Sequence, residues 1–281
     1  MCQMINGEEV LLQAVLRKHG YSCPYLIGTG AFSAVYRVKG AQDGRFYACK
    51  VSGRTEMLTK EAGILRQLAH PLFPAFHEMW TEGETGFLVM EYVWGRSLGR
   101  LLNRRGRFSV RRTAEIGLEL AEGLSYLHER KRPVYYRDLK PENIYIREDG
   151  RVKLLDFGCA CEEEKEKAGQ HVKVFVGTPG FAAPEQLKGN AKASAAGDIY
   201  GLGKILESML SIRDERGRRI TGESFLGSSP ECRLRMLALE CTMENPERRP
   251  ACMRLCIYRI LDAMKGKKQK RYIVEKYIWK K

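Results

Sequence analysis

A short stretch near the middle of the chain, YYRDLKPEN at residues 135–143, holds side chains that could do chemistry. It contains the carboxylate of Asp138, the amine of Lys140 and the amide of Asn143, and the stretch LLDFG adds a second, buried-looking carboxylate at Asp156. Asp and Asn oxygens are hard ligands of the kind that Mg²⁺ prefers when it also holds phosphate oxygens. An Asp can accept the proton of an attacking hydroxyl, and a Lys can neutralise a moving phosphoryl group. These residue types predict phosphoryl transfer.

The same Asp and Asn residues could also belong to a metal hydrolase that uses no nucleotide. Residues earlier in the chain argue for phosphoryl transfer instead. The stretch GTGAFSAVY places Gly28 and Gly30 in a turn where backbone N–H groups can approach phosphate oxygens, although an ordinary hairpin turn explains the pair equally well. Lys50 lies in the apolar strand FYACKV, where its ammonium either reaches out to water or meets an anion. Glu61 is expected to point inward from the next predicted helix, where its carboxylate could pair with the Lys50 ammonium. A hydrolase leaves these four residues unexplained.

The elements that must position these residues change type near EYVWGRS. Before it, YLIGTGAFSAVYRV, RFYACKV and FLVMEYV predict strands, and TEMLTKEAGILRQLAH predicts one helix that ends before Pro71. After it, a stripe of apolar residues predicts a helix, as do residues 194–211, 231–242 and 250–264; the stripe is Ile116, Leu120, Leu124 and Leu127. The fold class is α+β. The predicted regions are a helical extension (1–20), a strand-rich lobe (about 21–92), a mostly helical lobe (about 96–264) and a basic tail (265–281).

The composition of the chain indicates its structural class and its cellular compartment. The chain has 281 residues and 44% hydrophobic composition, which is typical of a globular protein. The N-terminus has no signal-like apolar run, and no stretch is long enough to span a membrane, so we expect a cytoplasmic protein. Nine cysteines without a paired framework favour free thiols. Two groups could suggest zinc, but neither has doubled CxxC spacing, so we expect buried thiols; the groups are Cys159, Cys161 and His171, and Cys252 and Cys256.

Eight stretches occur in an order that resembles the signatures of eukaryotic-type protein kinases. They are GTGAFS, YACK, KEAGIL, YRDLKPEN, DFG, GTPGFAAPE, GDIYGLG and NPERRP, and they cover about residues 21–264. The compactness of the chain is most similar to bacterial eukaryotic-like serine/threonine kinases. The resemblance implies a two-lobed protein kinase fold, with a small strand-rich N-lobe that carries one main helix and a larger helical C-lobe.

The same resemblance implies ATP as substrate and Mg²⁺ as cofactor, with Mn²⁺ as a substitute. Asp138 would be the catalytic base, Lys140 the contact to the γ-phosphate, and Thr178 their hydrogen-bond partner. Asn143 and Asp156 would hold the metal. Adenine would bind the backbone of Glu91 and Val93, with Met90 as gatekeeper, and Tyr145 would either pack beneath the pocket or touch the base. The full implied ATP-binding set is Ile27, Gly28, Gly30, Ser33, Val35, Ala48, Lys50, Glu61, Met90, Glu91, Val93 and Tyr145.

Further implied roles concern the helical lobe and the substrate. Glu185 and Arg249 would form a buried ion pair, and Asp198 would anchor the backbone of the catalytic loop. Lys140 and Thr178 favour a protein substrate with a Ser or Thr acceptor. A catalytically weak pseudokinase is the alternative, and it is disfavoured because the reactive residues are all present. A small-molecule kinase of the aminoglycoside or choline type is disfavoured by GTPGFAAPE.

Three departures from the family pattern are visible. Ser33 takes the place of the third glycine, and Tyr136 takes the place of the usual His. Residues 213–230, where a peptide-docking shelf is expected, match poorly. Arg137 often grips a phosphorylated residue in this family, yet residues 159–177 hold no Ser, Thr or Tyr. A carboxylate could serve instead, unless these acids form a solvated loop; the candidates are Glu162, Glu163, Glu164 and Glu166.

Charge suggests a further partner for the chain. Lys and Arg exceed Asp and Glu by 48 to 34, a net charge of +14, and the tail KGKKQKRYIVEKYIWKK is basic with interleaved aromatic residues. Such a segment could associate weakly with an anionic membrane surface or polyanions, which would make the protein peripheral at the membrane. The alternative is that its aromatic residues pack on the helical lobe. The pattern predicts no specific binding of nucleic acid.

Overall fold

A computed structural model describes residues 7–163, 177–188, 192–210 and 228–264 of the chain. The chain divides into two units, Met1–Trp94 and Gly95–Lys281. Parts of three predictions lie outside the described residues: the poorly matching segment, the acidic stretch and the basic tail. The residues concerned are 211–227, 164–176 and 265–281.

The first unit is built on a five-stranded antiparallel sheet with the strand order β1-β2-β3-β5-β4. Its elements are α1 (Gly7–Lys18), β1 (Tyr21–Thr29), β2 (Ala34–Gly40), β3 (Phe46–Ser52), α2 (Thr55–Arg66), β4 (Phe76–Glu82) and β5 (Thr85–Glu91). The predicted strands are present. Strand β4 escapes the sequence pattern because its residues, FHEMWTE, neither alternate regularly between apolar and polar nor form a continuous apolar run.

The strand register gives the sheet two distinct faces. Residues directly opposite in antiparallel strands share a face, and side chains alternate along each strand. Cys49, Val38 and Val89 lie on one face, in a core that Leu16 of α1 completes. Lys50 lies on the other face, opposite Val35 on β2 and Leu88 on β5. The sheet therefore separates a core beneath α1 from the face that carries the predicted site residues.

Helix α2 is shorter than its sequence pattern suggests. The pattern predicts a helix up to the residue before Pro71, whereas α2 ends at Arg66. The backbone N–H of Gln67 bonds to the Ile64 carbonyl at 3.0 Å, a tightened last turn. This turn closes the helix before the restriction that Pro71 places on the preceding residue can act.

The second unit is mostly helical. Its helices are α3 (Leu98–Arg105), α4 (Val110–His128), α5 (Pro184–Leu187), α6 (Ala195–Leu210), α7 (Pro230–Cys241) and α8 (Met253–Met264). Two small sheets accompany them, β6-β8-β9 and β7-β10. Their strands are β6 (Gly95–Ser97), β7 (Val134–Tyr135), β8 (Ile144–Arg147), β9 (Val152–Leu154) and β10 (Cys161–Glu162).

Helix α4 forms the centre of this unit. It starts at Ser109, whose hydroxyl accepts the backbone N–H of Arg112 at 3.2 Å, a standard N-cap. The predicted apolar stripe on α4 is fully buried and packs against α6 and α8. The α+β class is confirmed, with a sheet-rich first unit and a helical second unit. No helix among the described residues is long and apolar enough to cross a membrane.

Candidate active site

The β1–β2 hairpin forms the predicted glycine loop. Gly28 pairs with Val35, and the Gly30 N–H closes the turn on the Ser33 carbonyl at 2.7 Å. A Cβ placed on Gly28 would meet nothing within 4 Å, so the backbone there is open to a ligand. The loop tip is anchored at Phe32, whose carbonyl accepts the Ser52 hydroxyl at 2.7 Å. An open, anchored backbone of this kind suits phosphate oxygens.

Lys50 and Glu61 form a buried ion pair in the first unit. Lys50 Nζ lies 2.7 Å from Glu61 Oε2, and the two residues are only 9% and 3% exposed. Lys50 therefore does not reach out to water, which removes the alternative interpretation of a surface lysine. By strand register, Ala48, Val35 and Met90 share the face of the sheet that carries Lys50. This face can present a cation beside an apolar surface.

The segment after β5 shows which backbone groups could bind adenine. The Glu91 N–H bonds to the Ala75 carbonyl at 2.8 Å, so it is already used. Val93 is buried, and its backbone makes no hydrogen bond with another described residue. A free donor and acceptor next to the apolar face fit a heterocyclic base. Ile27 is exposed, and Tyr145 is half-buried in β8, so neither alternative for Tyr145 is decided.

Asn143 and Asp156 are thirteen positions apart but flank the same end of the β8–β9 hairpin in the second unit, since Asn143 precedes β8 and Asp156 follows β9. Ile144 on β8 pairs with Leu154 on β9, and the Leu155 N–H donates to the Asn143 carbonyl at 2.8 Å. Asn143 is buried, but Asp156 is exposed, which corrects the expectation of a buried carboxylate. The reason is local: Asp156 has a φ of +64°, and its neighbour Phe157 takes the buried position. Two oxygen-bearing side chains at one ribbon end fit Mg²⁺.

The Asp138 carboxylate lies at the centre of a hydrogen-bond network. The Thr178 hydroxyl donates to Asp138 Oδ1 at 2.7 Å, and Lys140 Nζ lies 2.7 Å from Oδ2. Lys140 also donates to Thr178 Oγ1 at 3.0 Å, and the Asn143 amide donates to the Asp138 carbonyl at 3.0 Å. The hydrogen bonds predicted for Thr178 are present. Two residues of the catalytic loop, Lys140 and Asn143, and one distant threonine therefore hold Asp138 in one orientation.

The charge state of this network follows from its geometry. Burial lowers the pKa of Lys140, but the hydrogen bond and the charge of Asp138 outweigh it, so the pKa is raised overall. Lys140 therefore stays protonated at neutral pH. A permanent positive charge beside Asp138 suits the stabilisation of negative charge on a phosphoryl group.

Asp198 of α6 holds the backbone that leads into Asp138, as predicted. Its two oxygens accept the N–H groups of Tyr136 at 2.9 Å and Arg137 at 2.7 Å. His128 Nε2 lies 2.8 Å from the same carboxylate. Arg137 has a φ of +70°, a conformation that costs a non-glycine residue about 1–3 kcal/mol. The surrounding bonds are what keep this strained residue in place.

Tyr136, which replaces the expected His, connects the catalytic loop to the segment that follows β9. Its hydroxyl donates to the Leu155 carbonyl, and its ring meets Phe157 edge-on at 5.3 Å. Complete burial raises the pKa of Tyr136 well above its ordinary value, so the phenol stays protonated. The substitution therefore supplies a permanent donor to the Leu155 carbonyl, next to Asp156 in the chain.

Arg137 and two of the glutamates proposed to reach it, Glu162 and Glu163, lie among the described residues. Arg137 Nη1 donates to Cys161 Sγ at 3.5 Å. Glu162 lies 3.9 Å from Arg132, and Glu163 accepts the Tyr135 hydroxyl at 3.3 Å. None of these contacts joins Arg137 to a glutamate, so they lend the hypothesis no support. Glu164 and Glu166 lie outside the described residues, so for them the hypothesis stays a prediction.

The cysteines give a mixed result. Cys256 is buried, as expected, with its sulfur 3.9 Å from that of Cys241, but Cys252 is exposed on the turn before α8. Cys159 and Cys161, also expected to be buried, are half-buried, and burial raises the pKa of Cys159 to about 11, so little of this thiol is the reactive thiolate at neutral pH. Among the residues described, no three His, Cys, Asp or Glu side chains form a group that could hold a metal.

Arg249 and Glu185 form the predicted ion pair of the helical unit. The two guanidinium Nη atoms bind both Glu185 oxygens, with Nη2 to Oε2 at 2.8 Å. The Arg249 side chain is fully buried, and its remaining donors bind the Met243, Ala196 and Glu244 carbonyls. The pair joins the start of α5 to the segment before α8.

Comparison with known families agrees with this geometry. The profile of the family described as Protein kinase domain matches residues 21–219, more than half of the chain. This chain belongs to the protein kinase family. Two human relatives are each 34% identical to this kinase: RAC-beta serine/threonine-protein kinase over 193 residues and cAMP-dependent protein kinase catalytic subunit PRKX over 195 residues. CBL-interacting serine/threonine-protein kinase 19 of Arabidopsis thaliana is 34% identical over 196 residues.

These matches cover part of each protein. Each spans 66% of this kinase but only 39% of RAC-beta, 52% of PRKX and 40% of the Arabidopsis protein. The likeness therefore concerns the kinase domain.

Sequence reasoning missed two residues that the structure places beside the catalytic loop of this kinase. His128 binds Asp198, and Gln186 donates from Nε2 to the Arg137 carbonyl at 2.9 Å. A histidine at the end of a helix gives no distinctive signal. A glutamine three residues after an N-cap is a capping signal only when the cap is Ser or Thr, and here it is Ala183.

Proposed function

We propose that this chain is an ATP-dependent serine/threonine protein kinase, which transfers the γ-phosphate of ATP to a Ser or Thr hydroxyl of a protein. The observation that carries the proposal is the bonding of Asp138 to both Lys140 and Thr178. A carboxylate held by a permanent cation and a hydroxyl donor is oriented to accept a proton from an attacking hydroxyl.

Each residue has a defined task in this proposal. Asp138 orients the acceptor hydroxyl and takes its proton, while Thr178 and Lys140 keep its carboxylate from rotating. Lys140 also offers its ammonium to the transferred group. In the first unit, Lys50 binds phosphate oxygens, and Glu61 holds its ammonium in place. Asn143 and Asp156 would hold Mg²⁺, for which Mn²⁺ is a substitute, and the metal would neutralise phosphate charge when bound.

The Ser/Thr preference draws on two features. Lys140 stands two residues after Asp138, and Thr178 bridges both side chains. The relatives named RAC-beta and CBL-interacting kinase 19 are described as serine/threonine-protein kinases. We therefore propose the same acceptor class here.

Radiolabel transfer tests the proposal directly. The purified wild type should transfer label from γ-labelled ATP to a general protein acceptor, and acid hydrolysis should release phosphoserine and phosphothreonine. Asp138→Asn keeps the side-chain size but loses the base, so transfer should fall at least about 100-fold. Asp149→Asn is the matched control, since Asp149 is an exposed turn residue that accepts the Arg151 N–H at 3.0 Å.

Three results would count against the proposal. Equal activity of the wild type and Asp138→Asn would remove Asp138 as the base. Label found only on tyrosine would refute the acceptor class. An inactive wild type that still binds ATP would favour the pseudokinase alternative.

We also propose that the basic tail, residues 265–281, draws this kinase weakly to an anionic membrane surface from the cytoplasm. The support is its charge and its interleaved aromatic residues. Deleting the tail should leave protein phosphorylation unchanged and weaken sedimentation with phosphatidylserine vesicles, an effect that fades at high salt. Equal sedimentation with neutral phosphatidylcholine vesicles would contradict this, and loss of soluble protein on deletion would favour packing on the helical unit.

A further inference from the structure

The side chain of Gln186 bridges two loops that meet at the catalytic carboxylate. Its Nε2 donates to the Arg137 carbonyl at 2.9 Å, and its Oε1 accepts the Ala183 N–H at 3.1 Å. Arg137 directly precedes Asp138, and Ala183 closes the loop that begins with Thr178. One amide group therefore connects the segments that carry the two bonded side chains.

The Arg137 end of this bridge holds a strained residue. Arg137 has a φ of +70°, which is unfavourable for a residue other than glycine. Its N–H is held by Asp198 at 2.7 Å, and its carbonyl is held by Gln186. The carbonyl belongs to the peptide group that joins Arg137 to Asp138. Fixing that peptide plane fixes where the Asp138 side chain starts.

The Thr178 end is equally closed. The Thr178 carbonyl accepts the N–H groups of Phe181 at 3.0 Å and Ala182 at 2.9 Å, and the Ala183 N–H then binds Gln186. If the Gln186 amide moved, Ala183 and the short loop that it closes would move with it, and Thr178 would be displaced. The Thr178 hydroxyl bonds to Asp138 Oδ1, so both ends of the bridge reach the same carboxylate.

Two glycines leave the space that the amide occupies. A Cβ on Gly177 would lie 3.1 Å from the Arg137 carbonyl oxygen and 3.6 Å from Gln186 Nε2. A Cβ on Gly197 would lie 3.1 Å from Gln186 Oε1. A Cβ contact of 3.1 Å is tighter than most in proteins, so Gly197 leaves room for the Gln186 amide and Gly177 leaves room for the carbonyl that it binds.

We propose that Gln186 is a positioning residue for phosphoryl transfer, which orients Asp138 and Thr178 through the Arg137 carbonyl and the Ala183 N–H. The proposal rests on the proposed function. The alternative is that Gln186 only caps α5, a helix of four residues. In that case its replacement would change the stability of α5 but not the geometry of Asp138.

Gln186→Glu provides a direct test because it replaces one amide N–H with a titratable oxygen. The carboxylate keeps the acceptor for Ala183 but repels the Arg137 carbonyl, whereas the protonated acid can donate to it. The variant should therefore regain activity as pH falls. Charged groups near the introduced carboxyl act on its pKa in both directions. Asp138, Asp198 and Glu185 favour its protonated form, and Arg137 and Arg249 favour its ionised form.

The experiment compares kcat, and KM for ATP, of full-length variants from pH 5.5 to 8.5, each divided by the wild-type value at the same pH. At pH 8.5 the Gln186→Glu variant should lose about 10-fold or more in kcat with little change in KM for ATP, since misplacement of about 1 Å can cost 100-fold. The loss should shrink several-fold toward pH 5.5. Gln186→Met, which cannot donate at any pH, should lose activity equally throughout.

The matched control is Gln67→Glu, at the residue that follows α2. Gln67 also donates its amide to a backbone carbonyl, that of Gly63 at 3.0 Å, but lies on the first unit. Its relative kcat should be flat with pH. A flat ratio for Gln186→Glu, or a loss that follows only its melting temperature, would overturn the positioning role. An inactive wild type would instead overturn the proposed function, and this inference with it.

Discussion

Arg249 offers the sharpest test of what stabilises the helical unit. All of its donors are used: Nε binds the Met243 carbonyl at 2.8 Å, and the two Nη groups bind Glu185 and two further carbonyls. Its side chain is 0% exposed, against 19% for Glu185. Arg249→Met would leave a largely buried carboxylate and three carbonyls without their donor.

Removing one partner of a buried ion pair typically costs about 3–5 kcal/mol. For a unit of this size, 1 kcal/mol corresponds to roughly 2–4 °C in melting temperature, so a fall of about 6–20 °C is expected. Removing Glu185 as well, in Arg249→Met/Glu185→Met, should recover part of that loss because no unpaired charge remains.

The matched control is Arg254→Met. Arg254 also binds a carboxylate with two nitrogens, and its Nε lies 2.7 Å from Glu129, but its side chain is 56% exposed. Exposed pairs contribute at most about 1 kcal/mol, so the melting temperature should fall by no more than a few degrees. Thermal unfolding followed by far-UV circular dichroism measures both variants. Equal losses for Arg249→Met and Arg254→Met would refute the argument from burial.

Three further predictions follow from the site. Lys50→Met should abolish phosphoryl transfer and also destabilise the first unit, because it leaves Glu61 buried and unpaired; Lys50→Met/Glu61→Leu should recover stability but not activity, and recovery of activity would contradict the assignment. Alkylation of Cys159 by iodoacetamide should be much slower at pH 8 than that of exposed Cys252 and should accelerate toward pH 11, since the thiolate reacts. Kinase produced with a phosphatase, and phosphate-free by mass spectrometry, should be active, because residues 159–177 hold no hydroxyl side chain; dependence on an added kinase would contradict this.

Local sequence patterns predicted the elements that carry strong periodicity. The stripe on α4 and the apolar strand around Lys50 each bury a regular set of side chains, so their type was readable from the sequence. The end of α2 was not, because a competing turn closes the helix four residues before Pro71 restricts the chain. Strand β4 was missed because it pairs with only one neighbour and remains partly exposed.

The candidate site shows a similar division. Pairs such as Lys50 with Glu61 could be predicted because a buried charge requires a partner. The exposure of Asp156 could not, because it depends on a positive φ that the sequence does not announce at a non-glycine residue. Gln186 and His128 act through backbone groups and through Asp198. Contacts of that kind depend on three-dimensional placement and leave no local pattern.

Helix α1 belongs to the packed first unit, although it lies before the region that matches the kinase family. The kinase profile begins at residue 21, yet Leu16 is fully buried against Val38, Cys49 and Val89 on the far face of the sheet. A chain begun at Tyr21 would expose that apolar face to water and give the sheet a surface suited to self-association. Recombinant work on this protein should therefore keep the segment that family alignment would discard.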